Sequence, residues 1–363
     1  MGEASDILRR AGVRLLWFDS MGAKSASVAL ETSVGTVVVD PGASKMHPTY
    51  PITAEEKREL RRRAARRVEE EVEKAVAVLV THYHRDHYLR PGDRDLRRGV
   101  GVLAGKRLVM KNPNIYVNES QWMRAREFLS GFLELLGESL RDYLTEPGET
   151  EFPDPVDGLE EATSRSFGGY QRRRMELLSK GRRWFTKLTE TWSREPWIAE
   201  FRLRDGTEVL WGDGRRFEFG DTVVEVMEPW FHGIEYDRTG WVTPILVRRG
   251  GWRILYTSDL MGPQIEDYAH TICDLKPDIV ILDGPPTYLF PYMLNRVNLQ
   301  RAVENAVDIV RSQPKLIVYD HHLLRERGWR RMVSRVFSEA EKAGVELRTA
   351  AECLGTKPLI DTV

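Results

Sequence analysis

Three histidines and an aspartate lie within six residues, in the segment Thr81-His82-Tyr83-His84-Arg85-Asp86-His87. The apolar, β-branched stretch before it, residues 76–80, predicts a buried strand that ends where this segment begins. Imidazole and carboxylate groups are suitable ligands for Zn²⁺, Mn²⁺ or Fe. Because neighbouring side chains diverge from the backbone, His82 and His84 can face one ion while Asp86 and His87 reach a second. The chain has only 8 histidines, so a polar loop that is His-rich by chance is the less favoured interpretation.

Other polar residues with ligand chemistry follow predicted strands elsewhere in the chain. Asp40 ends the strand at 37–39, Asp259 ends the strand at 254–257, and His321 follows the strand at 316–319. His232 lies in the segment Trp230-Phe231-His232-Gly233. Together with the H-x-H-x-D-H segment, this ordered set resembles the signature of the metallo-β-lactamase superfamily. The resemblance covers most of the chain outside a central insertion.

A narrower resemblance is to a mostly archaeal branch of that superfamily, whose members are predicted metal-dependent hydrolases. The motifs that carry it are Asp40-Pro41-Gly42, Asn118-Glu119-Ser120-Gln121, Phe231-His232-Gly233, Ser258-Asp259-Leu260-Met261-Gly262-Pro263, Gly284-Pro285-Pro286-Thr287-Tyr288 and Asp320-His321-His322-Leu323-Leu324-Arg325. This second resemblance does not indicate a substrate.

The superfamily resemblance implies a site with two metal ions. It assigns His82, His84 and His232 to one ion, Asp86, His87 and His321 to the other, and Asp259 to both. Asp40 is then expected to orient the His-rich loop without binding metal, as ligating histidines generally require.

Only one of the adjacent residues His321 and His322 can readily face the same ion, because side chains alternate along a strand. The resemblance favours His321 as the ligand, with His322 pointing away and held by Asp320 or Arg325. A shift of the strand end by one residue would exchange the two histidines.

A site of this kind indicates a hydrolase that needs no serine or cysteine nucleophile. Two cations, most favourably zinc with manganese or iron as alternatives, would lie roughly 3.5–4 Å apart and hold a hydroxide, since metal binding lowers the pKa of water to about 7. Asp86 and Asp259 are the predicted catalytic carboxylates. Tyr83, Arg85 and His322 are candidates for the acid that protonates the leaving group, and Arg85 and Tyr288 are candidates for substrate contacts.

Composition limits the classes of protein that remain. A chain of 363 residues with 41% hydrophobic and 30% charged residues can form one large α/β domain with an insertion, or two to three domains. The net charge of −1 argues against a general polyanion-binding protein. Cys273 and Cys353 provide no disulfide framework. No apolar run approaches the roughly 18 residues of a membrane span, so we expect a cytoplasmic protein without a membrane partner, and the oligomeric state stays open.

The order of predicted elements indicates an α/β (α+β) fold, a metallo-β-lactamase-like αββα sandwich. Strands come first, helices separate the later strands, and the second half repeats this plan. The segment Thr53-Ala54-Glu55-Glu56 has the character of a helix cap, and the opposite charges at helical spacing in residues 55–74 predict a solvated surface helix. We expect residues 1–110 and 206–363 to form the core. Residues 111–205 do not fit it and are expected to form a mostly helical insertion near the active site.

Two basic segments bear on the substrate. Residues 89–107 carry a surplus of four positive charges and residues 170–187 a surplus of six. Near a metal site both segments would attract an anion. The alternative for residues 89–107 is a solvated loop. For residues 170–187 the favoured interpretation is a solvated helix face packed on its aromatic residues.

The predicted function is therefore hydrolysis of an anionic ester, such as a small-molecule or nucleic-acid phosphodiester. One alternative is an iron-dependent redox enzyme on the same scaffold, although Arg85 stands where oxygen-reducing relatives usually carry Glu. Others are a thioester or amide hydrolase and a metal-holding scaffold that binds RNA or protein.

Overall fold

Two seven-stranded sheets form the centre of the computed structural model, which describes residues 2–363. The strands are β1 (Val13–Phe18), β2 (Ala26–Thr32), β3 (Gly35–Val39), β4 (Ala75–Val80), β5 (Arg107–Met110), β6 (Leu144–Thr145), β7 (Trp197–Ile198), β8 (Phe201–Arg202), β9 (Glu208–Trp211), β10 (Arg216–Phe219), β11 (Thr222–Val226), β12 (Trp230–Phe231), β13 (Trp241–Val242), β14 (Ile245–Arg249), β15 (Trp252–Tyr256), β16 (Ile279–Asp283), β17 (Leu316–Asp320) and β18 (Glu346–Arg348).

The helices flank these strands and connect them. They are α1 (Glu3–Ala11), α2 (Ala54–Lys74), α3 (Glu119–Leu135), α4 (Glu160–Ser164), α5 (Gln171–Trp192), α6 (Glu266–Asp274), α7 (Arg296–Arg311), α8 (Trp329–Met332), α9 (Ser334–Ala343) and α10 (Ala350–Cys353). In the part of the chain that the structure describes, no helix has both the length and the apolar character needed to cross a membrane.

The two sheets share one plan, with antiparallel strands first and parallel strands after them. The first sheet has the order β1-β2-β3-β4-β5-β9-β8, and the second has the order β10-β11-β14-β15-β16-β17-β18. Strands β3, β4, β5 and β9 are parallel to one another, as are β15, β16, β17 and β18. The strands β6 with β7 and β12 with β13 form separate two-stranded sheets.

Alternating side chains along the strands build three hydrophobic layers. In β4, Ala77 and Leu79 belong to a core that also contains residues of the second sheet, such as Ile254 and Ile279. Val78 points the other way, into a core with α2 and α3. This period of two is that of a strand buried on both faces.

The outer face of the second sheet is covered in the same way, since Leu255 and Val280 pack with residues of α6, α7 and α9. Two sheets packed face to face between helical layers confirm the predicted αββα sandwich.

Helix α2 illustrates how local sequence fixes an element. Thr53 caps it through a reciprocal pair of hydrogen bonds with Glu56. Most of its charged residues face solvent, whereas Lys57, Arg61, Glu69 and Glu71 are buried. Val68 and Val72 lie buried against the first sheet. The predicted helix at 55–74 is present, whereas α1 and α6 had no counterpart in the sequence analysis.

Residues 111–205 leave the first sheet after β5 and return to it at β8 and β9. They contain α3, α4 and α5, and β8 pairs with β9 at the sheet edge. The division into a core and an insertion remains a proposal, and β8 shows that the last residues of this segment form part of the first sheet.

Candidate metal centre

Five strands end at one edge of the sandwich, and most of the predicted ligands lie at those ends, whereas His232 follows β12 of a separate two-stranded sheet. In the first sheet β3 leads into Asp40 and β4 leads into residues 81–87. In the second sheet β15 leads towards Asp259, β16 ends at Asp283, and β17 is followed by His321. Parallel strands place their carboxyl ends at a common edge, which is where open α/β sheets bind ligands.

The backbone turns sharply at three of these ends. Asp40, Ser258 and His321 have φ values of 46°, 54° and 57°, in the left-handed region that non-glycine residues rarely adopt. Such conformations persist only where surrounding structure enforces them, and they are concentrated at functional sites.

Gly42 permits close contact between the turn after β3 and the His-rich loop. A Cβ atom at this position would lie 2.4 Å from backbone atoms of Asp86, His87 and Tyr88. Any side chain would therefore displace the loop that carries the candidate ligands, which explains the glycine in Asp40-Pro41-Gly42.

The first group of candidate ligands is His82, His84, His232 and Asp259, whose ligand atoms lie within 4.8 Å of one another. His82 Nε2 is 3.5 Å and His232 Nε2 is 3.4 Å from Asp259 Oδ2. The His84 ring is 4.7 Å from that of His82 and 4.8 Å from that of His232, between ring centroids.

The second group is Asp86, His87 and His321, within the same distance limit. His87 Nε2 and His321 Nε2 lie 3.1 and 3.3 Å from Asp259 Oδ2. Asp259 is thus close to four imidazoles drawn from both groups. The structure brings together the predicted ligands in the two sets that the sequence analysis proposed.

The donor atoms of this site fit cations. Within residues 2–363, His82 Nε2, His87 Nε2, both ring nitrogens of His232 and Asp259 Oδ1 are buried without a hydrogen-bond partner. Buried polar atoms are normally hydrogen-bonded, so each exception needs an explanation. Imidazole nitrogens and a carboxylate oxygen facing one space are the ligands that zinc, manganese and iron accept.

Carboxylates behind the ligands fix the orientation of two rings. His87 Nδ1 lies 2.9 Å from Asp40 Oδ2, and His321 Nδ1 lies 3.0 Å from Asp19 Oδ1. A proton on Nδ1 is then donated to the carboxylate, which leaves the Nε2 lone pair directed at the centre. Asp40 also accepts hydrogen bonds from the Thr81 amide and hydroxyl, at 2.7 and 2.6 Å.

The electrostatics of the centre favour uptake of positive charge. Burial alone would raise the pKa of Asp259, but the facing His321, His87 and His82 hold it well below its ordinary value. Burial lowers the pKa of His87, yet Asp259 and Asp40 outweigh it and raise that pKa to about 10. Metal ligation would replace such protons, because a ligating imidazole must be neutral.

His322 does not lie as expected. Its Nδ1 is 2.9 Å from Asp283 Oδ1, and its Nε2 is 3.9 Å from Asp259 Oδ2, so the ring faces the centre. The expectation that it points away and is held by Asp320 or Arg325 is wrong. The left-handed turn at His321 breaks the strand alternation on which that expectation depended.

Other predicted site residues are distributed around the centre. Tyr83 is buried and its hydroxyl donates to the Lys111 carbonyl, so the suggestion that it protonates a leaving group is wrong. Arg85 is exposed. Tyr288 is half-buried, with its ring centroid 5.3 Å from that of His47.

Asp19 and Lys24 near the centre were not identified from sequence, and Arg325 was named only as a possible partner of His322. Asp19 orients His321 and accepts a 2.5 Å hydrogen bond from Arg325 Nε. Arg325 Nη1 donates to the Tyr288 hydroxyl at 3.1 Å, while its Nη2 is buried without a partner among the described residues. Burial and then Arg325 lower the pKa of the nearby Lys24. The one sequence signal for Asp19 is its position directly after β1.

The segment that carries His232 is held by residues 111–205. Gln121 Nε2 of α3 donates to the Trp241 carbonyl at 2.9 Å, and Trp184 of α5 stacks on the Trp241 ring with centroids 5.6 Å apart. At Gly181 an added Cβ would lie 2.4 Å from the Tyr236 ring. Trp184 is buried, in agreement with a helix face packed on its aromatic residues.

Comparisons with known proteins found relatives in archaea. No known family model matches the chain. It is 28% identical over 346 residues to the UPF0282 protein MK0213 of Methanopyrus kandleri, covering 94% of this chain and 92% of the relative. It is also 28% identical over 342 residues to a UPF0282 protein of Korarchaeum cryptofilum, covering 94% of this chain and 88% of the relative.

Among solved structures, the metallo-β-lactamase fold protein YhfI from Bacillus subtilis is 10% identical, with 93% of this chain and 95% of that chain covered and a TM-score of 0.40. The fold assignment for this chain depends on its own layers and strand order. The chain is similar to archaeal UPF0282 proteins along almost its whole length, which confirms the predicted resemblance to an archaeal group of proteins.

Proposed function

We propose that this protein is a metal-dependent hydrolase with a two-ion site that acts on an anionic ester, such as a phosphodiester. The observation that carries the proposal is the arrangement around Asp259: four imidazole Nε2 atoms lie 3.1–3.5 Å from one carboxylate oxygen. Three of those nitrogens have no hydrogen-bond partner within residues 2–363.

One ion would be held by His82, His84 and His232, the other by Asp86, His87 and His321, and Asp259 would contact both. When bound, such a pair of cations lowers the pKa of water and polarises the ester that it attacks. Zinc suits this ligand set, and manganese and iron are the alternatives.

Residues of the chain itself would supply orientation and charge. Asp40 and Asp19 hold His87 and His321 by hydrogen bonds to their Nδ1 atoms. Lys24 and Arg325 lie beside the centre; Arg325 is paired with Asp19, whereas Lys24 forms no ion pair with any residue from 2 to 363. These cations favour an anionic substrate over a neutral amide or thioester.

The test begins with protein purified without chelator. We expect two equivalents of metal by elemental analysis, and a visible spectrum separates iron from zinc. Hydrolysis of bis(p-nitrophenyl) phosphate should exceed that of a p-nitrophenyl thioester and should stop on removal of the metal.

His270 provides the matched control for the site histidines. It lies on α6, is half exposed and pairs with Glu161. His270→Ala should keep both metal equivalents and full hydrolysis. Less than one equivalent of metal in the unmodified protein, after metal is added back, contradicts the proposal.

A further inference from the structure

A cleft of about 430 Å³ lies beside the His-rich loop. Six cationic side chains line it, against only two carboxylates: Lys45, Arg58, Arg61, Arg85, Arg90 and Arg94 face Asp93 and Asp95. We call these residues the basic cleft. Arg85 stands between the candidate ligands His84 and Asp86, so the cleft adjoins the metal centre through the loop itself.

Both carboxylates of the basic cleft already have arginine partners: Arg61 contacts both, Arg90 Nη2 lies 3.5 Å from Asp93 Oδ2, and Arg62 Nε lies 3.7 Å from Asp95 Oδ1. The buried Arg61 donates from Nη1 to Asp93 Oδ1 at 2.8 Å and to Asp95 Oδ2 at 2.5 Å. Its Nε donates to the Ala43 carbonyl at 3.2 Å. Arg61 therefore forms the floor of the cleft, and the two carboxylates are already shared among Arg61, Arg62 and Arg90.

Four of the remaining cations have no counter-charge in the protein. Lys45, Arg58, Arg85 and Arg94 are exposed, and none of them forms an ion pair with another residue in the described chain. They come from three separate segments, which the fold brings to one cleft. Uncompensated like charges repel one another, and an anion bound between them would relieve that repulsion.

The chemistry of the lining identifies the anion. Arginine guanidinium groups bind phosphate oxygens in a bidentate manner. The lining contains no aromatic side chain, so it offers no aromatic ring on which a base could stack. Contacts of this type position a nucleic acid by its backbone and carry no sequence information.

We propose that the basic cleft binds the phosphodiester backbone of a nucleic acid, independently of base sequence, and directs the strand to the metal centre. The second step rests on the proposed function; binding in the cleft does not require the metals.

The neighbouring arginines Arg97 and Arg98 offer a matched control. They belong to the same segment and are similarly exposed, but Arg97 Nη1 lies 3.3 Å from Glu70 Oε1 and Arg98 pairs with Glu73. The double variants Arg58→Ala/Arg94→Ala and Arg97→Ala/Arg98→Ala remove the same charge, the first inside the cleft and the second outside it.

The experiment measures binding of a fluorescein-labelled, mixed-sequence single-stranded RNA to full-length protein by anisotropy, with chelator present so that no hydrolysis occurs. Affinity is determined across a series of salt concentrations. For Arg58→Ala/Arg94→Ala we expect roughly tenfold weaker binding at low salt and a salt slope lower in magnitude by about 1.4, since each phosphate contact on a single strand contributes about 0.7.

The outcomes are distinct. Unchanged binding by Arg97→Ala/Arg98→Ala, together with the loss in the cleft variant, supports the proposal. Equal losses in both variants, no RNA binding by the unmodified protein, or binding to anionic vesicles in place of RNA overturns it. Thermal unfolding of both variants checks that they fold.

Hydrolysis of bis(p-nitrophenyl) phosphate by the metal-loaded unmodified protein is measured in parallel. Its absence with cleft-dependent RNA binding overturns the proposed function alone. Its presence without RNA binding overturns the basic cleft alone.

Discussion

Two buried clusters of charged residues lie within the sandwich, and they differ in completeness. In the ion-pair network, Glu235 Oε1 receives Arg174 Nη2 at 2.8 Å and Arg301 Nη2 at 2.7 Å, and Glu266 Oε2 lies 2.7 Å from Arg301 Nη2. Around Asp259, by contrast, buried ring nitrogens face one another without partners in the described part of the chain.

The difference separates structural charge from a binding site. Burial of an ion is costly unless an opposite charge and hydrogen bonds compensate it. The network supplies its own charge compensation, with Arg165, Arg174 and Arg301 against Glu235 and Glu266. In this network, within residues 2–363, only Arg174 Nε is buried without a hydrogen-bond partner. The residues around Asp259 do not supply such compensation, which supports the proposal that cations from outside the chain complete this centre.

The strongest test of this comparison is Asp259→Ala. The substitution removes the carboxylate near which four imidazoles converge, so we expect at least one metal equivalent to be lost and hydrolysis to fall roughly a thousandfold or more. Elemental analysis and initial rates measure the two effects. The fold should persist, because Asp259 lies at a strand end. Full activity in the variant would show that Asp259 is not a ligand.

In the ion-pair network, Arg301→Ala should lower the stability of the protein and leave metal binding unchanged. It leaves Glu235 and Glu266 buried with one cationic partner fewer, and we expect the free energy of unfolding to fall by about 3–5 kcal/mol. Urea unfolding measures this change. Metal content under native conditions should stay the same, and a loss of less than 1 kcal/mol would mean that solvent reaches the network.

Removal of the metals should lower the free energy of unfolding by an amount comparable to that expected for Arg301→Ala. This amount depends on the concentration of free metal. A ligand that binds only the folded state at 100 times its Kd stabilises it by about 2.7 kcal/mol. Chelation should therefore lower the Tm, and restored metal should raise it again. The Arg301→Ala variant should show the same shift, because its cluster takes no ion. A Tm that does not change when metal is removed or restored would contradict the proposal of a metal centre.

Sequence was most informative where ligands follow strands in a contiguous pattern. His82, His84 and His87 could be proposed because one segment contains them all, and Asp40 because it ends a strand. Asp19 was missed because nothing near it in sequence indicates that a turn after β1 meets His321. That contact joins residues about 300 positions apart, and only the packing of the two sheets creates it.

Prediction of the fold depended on local signals: it succeeded where the sequence contains them and failed where it does not. The αββα plan was evident from hydrophobic strands and from α2, whose cap and charges are local signals. The helices α1 and α6 were missed, and β8 fell within the predicted insertion. Composition could not decide whether the basic segment at 89–107 attracts an anion or is a solvated loop. Its arginines differ in their surroundings, because Arg94 lines the basic cleft while Arg97 and Arg98 pair with α2.

The residues behind the ligands should have intermediate effects. Asp40→Asn and Asp19→Asn keep shape but replace the carboxylates that accept from His87 and His321. We expect each to weaken metal binding by about 10–100-fold, measured by competition with a chromophoric chelator. Asp205→Asn, in a turn after β8 where the carboxylate accepts from the Thr207 amide, is the control. Unchanged metal affinity in both site variants would assign Asp40 and Asp19 to folding alone.

The smallest effect is expected for His322→Ala. Its Nδ1 faces Asp283, and its Nε2 is 3.9 Å from Asp259, farther than the 3.3 Å of His321 Nε2. Burial and then Asp259 raise the pKa of Asp283 to about 7, so the pair of His322 and Asp283 can share a proton at the edge of the centre. His322→Ala should keep both ions and lower the rate by roughly tenfold, whereas His321→Ala should lose the second ion. If His322→Ala loses an ion and His321→Ala does not, His322 is the ligand.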